Sequence, residues 1–347
     1  MTMACRGVTR AGAPRWMPRG ACWKRLLLAL LPVLLGACSG LANRNAPAFS
    51  EVIARNDNYI IVRASRDATS RSLAKTFLGD AGRYWLIEEE NDDTPVRPGR
   101  IVVIPLRETA RSGISPHAVQ TVPVLCYHRF GDRDDGMMIS ARRFEQQMAY
   151  LRDNGYQVIP LTALLEFLEG RQRVPRKAVV LTIDDGHQSI YKIAYPILKK
   201  YGFPATVFIY SDYLGYGGLT WPQIHEMGRD GLIDIQAHSK THANLNKRLP
   251  GESRAAWLHR IETEVAAPTN KLREHADTPV IAYAYPYGET NEQVIDFLGQ
   301  YDYLLGFTVF PGGNTAYSYP YTLHRSMIFG DRGMQAFRKA LNNTMSF

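Results

Sequence analysis

The feature that most constrains this chain is an alternation. From Thr121 onward, short apolar runs take turns with amphipathic stretches of helical period. The runs are Val122–Tyr127, Ala178–Ile183, Ala205–Ile209, Ile233–Ala237, Val280–Ala284, Tyr303–Val309 and Leu323–Phe329. Between them, Ala141–Asp153, Leu161–Glu169, Ser189–Lys200, Ser253–Arg273 and Glu292–Leu298 read as helices. Strands separated by helices predict an α/β fold of parallel strands, closed as a barrel or open as a sheet. Such folds collect their chemistry at the C-terminal ends of the strands.

The second run ends in VVLTIDDGH, residues 179–187. Two adjacent carboxylates destabilise each other unless a cation compensates. Asp-Gly alone would suggest a hairpin, but the following QSIYKIAYPILKKY has helical period. The acids therefore stand at a strand-to-helix junction, as a helix cap or as a reactive pair. The other strand ends are as rich. His128 and Arg129 follow the first run, and HSKTH (238–242) follows Ile233–Ala237. Tyr285, Pro286, Tyr287, Gly288 and Glu289 follow Ala284, and the last run carries His324 and Arg325.

The i, i+4 spacing of His238 and His242 predicts two imidazoles on one face of a helical turn. Joined to a strand-end carboxylate they form a His₂–carboxylate set, which leaves an open position on a bound ion as catalytic zinc sites do. One acid of the doublet then binds metal and the other is free to act as base.

TIDDG (182–186), HSKTH (238–242) and YPYG (285–288) resemble, in order and spacing, the first three motifs of the NodB-homology polysaccharide deacetylases, carbohydrate esterase family 4. The resemblance covers residues 121–347. It implies a distorted (β/α) barrel that removes acetyl groups from N-acetylglucosamine polymers with a divalent metal. Zinc is the first expectation, with cobalt or nickel also suited to the donor set. By position it makes Asp184 the general base, Asp185, His238 and His242 the metal ligands, and His324 the general acid. The backbone N–H of Tyr287, after Pro286, would face the oxyanion. His128 would line the pocket or cap the first strand.

Two family features differ here. Many members carry arginine two residues before the proline of the third motif, where this chain has Ala284; Arg325 is the candidate to orient the base instead. The Asp-Trp motif near the C-terminus is replaced by FTVFPGGNTAYSYPY (307–321). Together with YHRF (127–130) and PYGE (286–289), these departures resemble the deacetylases of exported poly-β-1,6-GlcNAc.

Upstream, residues 58–106 have a β-α-α-β order that resembles a LysM domain, a GlcNAc-binding module, although Arg66-Asp67-Ala68-Thr69 departs from the family's first loop. Residues 38–57 read as a tether and 107–120 as a linker. Residues 1–37 read as a signal segment, since Trp23-Lys24-Arg25 precede an apolar stretch too short to span a membrane comfortably. LGAC (35–38) resembles a lipobox, with Cys38 acylated. Ser39 then implies an outer-membrane lipoprotein facing the periplasm of a Gram-negative bacterium. The six basic residues of 1–37 carry most of the +8 formal charge. Taking them from the 41 leaves 35 against 33 acidic residues, so the charge gives no reason to expect a nucleic-acid partner. With Cys5, Cys22 and Cys38 assigned to this segment and its anchor, Cys126 is left as a buried small hydrophobe.

The expected partners are therefore a GlcNAc-containing polysaccharide, either exopolysaccharide or peptidoglycan, and a membrane reached through Cys38. Two alternatives stay open. One is a non-catalytic glycan-binding lipoprotein with a degenerate deacetylase fold. The other is a glycoside hydrolase using paired acids such as Asp184 and Glu289.

Overall fold

The computed structural model describes residues 47, 49–108, 111–114, 118–215, 217–275 and 278–341, with the backbone of Thr344–Ser346. The expected signal segment and Cys38 lie outside the described residues.

A small N-terminal module comes first. Its elements are β1 (Glu51–Arg55), β2 (Tyr59–Arg63), α1 (Ser70–Leu78), α2 (Tyr84–Glu90) and β3 (Ile101–Pro105), with the sheet in the order β1-β2-β3. Strand β1 falls inside the stretch expected to be a tether. Its Val52 and Ala54 pair with Val62 and Ile61 across a register irregularity, and its side chains stay exposed on the sheet edge. The module has its own core of Ile60, Val62, Leu73, Ile87, Val102 and Ile104. Thr69 opens α1 with a reciprocal capping box to Ser72.

The remaining elements run β4 (Ala118–Gln120), β5 (Val122–Tyr127), β6 (Arg129–Gly131), β7 (Met138–Ser140), α3 (Ala141–Asp153), β8 (Gln157–Val158), α4 (Leu161–Leu168) and β9 (Ala178–Ile183). Then come a π-turn (Ile190–Ala194), α5 (Tyr195–Tyr201), β10 (Ala205–Ile209), α6 (Trp221–Arg229), β11 (Ile233–Ala237), α7 (Arg254–His275), β12 (Ala282–Ala284) and α8 (Glu292–Gln300). The chain closes with β13 (Leu305–Phe307), β14 (Gly313–Asn314), β15 (Ser326–Met327), α9 (Met334–Ala340) and β16 (Thr344–Ser346).

The principal sheet has the order β13-β12-β11-β10-β9-β5, all parallel, with β15 parallel to the free side of β5. A parallel bridge between Phe307 and Leu323 joins the two ends, so the sheet curls into a distorted barrel. Strands β5 and β9 are buried along their whole length on both faces. That is why they read as continuous apolar runs rather than alternating ones.

Three strands, β12, β13 and β15, are shorter than their runs, and hydrogen bonding explains the first and last. Gln236, buried in β11, accepts from the N–H groups of Ile281 and Ala282, both at 2.8 Å. A side chain thus replaces the neighbouring strand, and β12 starts only at Ala282. In the last run, Leu323 donates to Gly306 and Arg325 to Phe310, whereas Ile328 donates to Cys126. The chain changes partner midway, leaving Ser326–Met327 as regular strand.

The module is latched to the barrel at the N-terminal end of β9. Glu89 of α2 accepts from Arg173 at 2.5 Å and from the backbone N–H of Arg176 at 2.6 Å. Glu108 accepts from Arg83 at 2.8 Å beside it.

Candidate active site

Strand β9 delivers Asp184 in register, its N–H bonded to Tyr127 of β5 at 2.8 Å. The chain then turns sharply, with Asp185 and Gly186 both at φ of 72°. A side chain at 186 would meet Ile209 within 2.7 Å, so glycine is required by both conformation and space. The turn sends the two acids to different surroundings.

Asp184 is gripped by Arg325. Nη1 donates to Oδ1 at 2.6 Å and Nη2 to Oδ2 at 2.7 Å, with Arg325 wholly buried. The guanidinium is fixed in turn by Nε donating to the Thr308 carbonyl at 2.9 Å. The Cys126 thiol donates to Asp184 Oδ2 at 3.4 Å. Burial alone would raise the Asp184 carboxyl, but Arg325 and His238 outweigh it and hold the group well below the usual carboxylate range. Asp184 is therefore ionised, and the guanidinium fork leaves further lone pairs on its oxygens.

Asp185 faces the histidines. His238 Nε2 lies 3.8 Å and His242 Nε2 3.6 Å from Asp185 Oδ1. The ligand atoms of this trio lie within 4.8 Å of one another. The tautomer of His238 follows from its partner: Nδ1 meets the Ala284 carbonyl at 2.7 Å, which only accepts, so Nε2 presents a lone pair to the cluster. Burial pulls the His238 pKa down to about 4, so the ring is neutral at pH 7, as a metal ligand must be. The donor set of two imidazole nitrogens and one carboxylate suits a divalent metal.

The helical turn expected for residues 238–242 is not there. Ser239 and His242 have φ of 77° and 64°, so the backbone is an irregular loop. Ser239 Oγ accepts from the His242 N–H at 2.9 Å, and Glu264 of α7 accepts from the N–H groups of Lys240 and Thr241. The ring centroids meet at 4.9 Å through loop closure rather than helical stacking. Glu264 escaped the sequence reading. Its signal was an acid on the buried stripe Ile261, Glu264, Val265, Pro268 and Leu272 of a long helix.

His324, expected as the acid, is not part of the cluster. Adjacent residues of an extended segment point to opposite sides. Arg325 takes the inward side, which leaves His324 exposed, its Nδ1 against Gly312. His128 instead lies beside Asp184. A ring nitrogen of His128, the Cys126 sulfur and an Asp184 oxygen lie within 4.8 Å of one another. Burial lowers the His128 pKa, opposed by Asp184 and Asp185.

At the rim, Tyr287 is 60% exposed with φ of 62°, its ring edge-on to His242 at 4.8 Å, while Pro286 before it is buried. Glu289 accepts from Asn244 at 2.9 Å and stays outside the cluster.

Fold and site together define a distorted parallel barrel with a His₂–carboxylate set beside an arginine-held acid. The family model for polysaccharide deacetylases matches residues 171–306. YxkH of Bacillus subtilis (strain 168), named as a polysaccharide deacetylase, is 31% identical over 220 residues, covering 62% of this chain and 74% of that protein. The chain belongs to the polysaccharide deacetylase family. The poly-β-1,6-N-acetyl-D-glucosamine N-deacetylase of Escherichia coli (strain K12) is 27% identical over 211 residues, 51% of this chain but 31% of that longer protein. The structure of IcaB from Ammonifex degensii superposes with a TM-score of 0.58 at 29% identity, covering 64% of this chain and 98% of that one.

Proposed function

We propose that this protein hydrolyses N-acetyl groups from a GlcNAc-containing polysaccharide, with poly-β-1,6-GlcNAc the first polymer to test. One observation carries the reading: the two adjacent acids are separated in role, Asp184 held by Arg325 and Asp185 turned to two imidazole lone pairs. A degenerate scaffold has no use for that division, and a glycosidase has no use for the histidines.

Asp185, His238 and His242 would hold a divalent cation, zinc by first preference. When bound, the cation supplies Lewis-acid activation of water and of the acetyl carbonyl. Asp184 accepts the proton of the attacking water, and Arg325 keeps its carboxylate ionised and aimed. The Tyr287 N–H, presented by the turn at Pro286–Gly288, donates to the developing oxyanion; one such donor contributes about 3 kcal/mol. His128, beside Asp184, passes on to the departing amine the proton that Asp184 takes from the water, because an amine leaves poorly as an anion and burial keeps the resting imidazole neutral. This moves the acid from His324 to the N-terminal end of the domain.

The sequence of residues 1–38 supports acylation at Cys38 and an envelope location, which palmitate labelling of the wild type and Cys38→Ala would test. The N-terminal module supports a glycan-binding role by resemblance alone. The function itself is tested by acetate release from acetylated poly-β-1,6-glucosamine and from peptidoglycan, with and without chelator. Release from neither polymer, or release unaffected by Asp184→Asn, overturns it.

A further inference from the structure

His238 and His242 are fixed by unequal means. His238 stands at the end of β11, its N–H bonded to Ile209 at 2.8 Å and its ring to Ala284. His242 has no strand or helix beneath it and rides on a loop with two non-glycine residues at positive φ, each an unfavourable conformation. Something must offset that cost and set the gap between the two rings.

Glu264 does so from outside the cluster. It is 5% exposed and sits in the middle of α7. Its Oε2 accepts from Lys240 N–H at 3.0 Å and Thr241 N–H at 2.8 Å, and its Oε1 from the Thr241 hydroxyl at 2.6 Å. A buried carboxylate is tolerated when it is hydrogen-bonded in this way. All three donors belong to the two residues immediately before His242.

The helix is shaped for this contact. Pro268 lies inside α7 and has no N–H to give the carbonyl four residues earlier, which is that of Glu264. The Tyr283 hydroxyl, fully buried in β12, reaches that freed carbonyl at 3.5 Å. Glu264 is thus tied to β12 through its main chain and to the histidine loop through its side chain. The same strand supplies the Ala284 carbonyl that orients His238.

We infer that Glu264 is a positioning residue for the cation site, setting where His242 stands relative to His238 and Asp185; this rests on the metal-site reading above. The test uses apo-protein titrated with Co²⁺, following the visible d–d band and the affinity by chelator competition. Glu264→Gln keeps the shape but loses the charge. It should weaken Co²⁺ binding about tenfold or more and shift the band, with far-UV circular dichroism unchanged. Glu262→Gln, a half-exposed acid on the same helix with no contact to residues 238–242, should match wild type. Should Glu264→Gln fail to fold, Thr241→Val removes one of the three bonds and should give a smaller loss with a smaller band shift. Wild-type affinity and spectrum in a folded Glu264→Gln, or in Thr241→Val, overturn the inference. A wild type that binds no Co²⁺ overturns the metal reading and this inference with it. Glu264-dependent Co²⁺ binding without acetate release overturns the proposed activity alone.

Discussion

Arg325 holds Asp184 by both carboxylate oxygens, at 2.6 and 2.7 Å, with neither side chain reaching solvent. The two residues stand 141 positions apart in sequence. The pairing supplies at the base what Ala284 does not.

Removing either partner should be costly in distinguishable ways. Arg325→Ala leaves a buried carboxylate uncompensated and should destabilise the fold by about 3–5 kcal/mol, read by urea denaturation. Arg325→Lys keeps the charge but not the fork. It should fold better than Arg325→Ala while losing most acetate release.

The placement of the acid separates two histidines. His128→Ala should lower kcat for acetate release by about 10²- to 10⁴-fold. His324→Ala, altering an exposed ring, should stay within a few-fold of wild type. The reverse result would restore the acid role to His324.

Acid stability of the apo-protein follows from Asp184 and His238. Burial holds the folded His238 near 4, below its unfolded value of about 6.5, so the unfolded chain binds more protons between them. Stability therefore falls as pH drops through that window. Asp184 is also depressed, so its contribution is present above about 4 and lost on further acidification through its folded value. The urea midpoint should decline from pH 7 to pH 4.5. His238→Gln should decline less steeply over the same range.

Cation removal should be reversible. Chelation should abolish acetate release, and Zn²⁺ or Co²⁺ should restore it in wild type. Asp185→Asn, which removes the carboxylate facing both imidazoles, should need far more metal for the same recovery. Full activity in exhaustively chelated protein would contradict the assignment.

The strands most legible in the sequence were those buried on both faces. Val122–Tyr127, Ala178–Ile183, Ala205–Ile209 and Ile233–Ala237 form over the residues that their apolar runs mark. The later strands were overdrawn because a side chain, Gln236, and a change of partner at Arg325 end the pairing early. Motif spacing brought Asp185, His238 and His242 together but misjudged the local backbone, since i, i+4 spacing does not reveal a loop closed by Glu264. His324 stands outside the cluster because Arg325 claims the interior, and motif context says nothing of side-chain parity. His128 was visible only as one pocket-lining candidate, since its neighbours come from a distant stretch of chain.

The latch at Glu89 sets where the N-terminal module stands on the barrel. The N-terminal module is fixed at one pole of the barrel and the chemistry lies at the other, about 20 Å away along β9. Loss of the Glu89 latch would therefore loosen the module at one end of the sheet while leaving the strand end that carries the two acids in place.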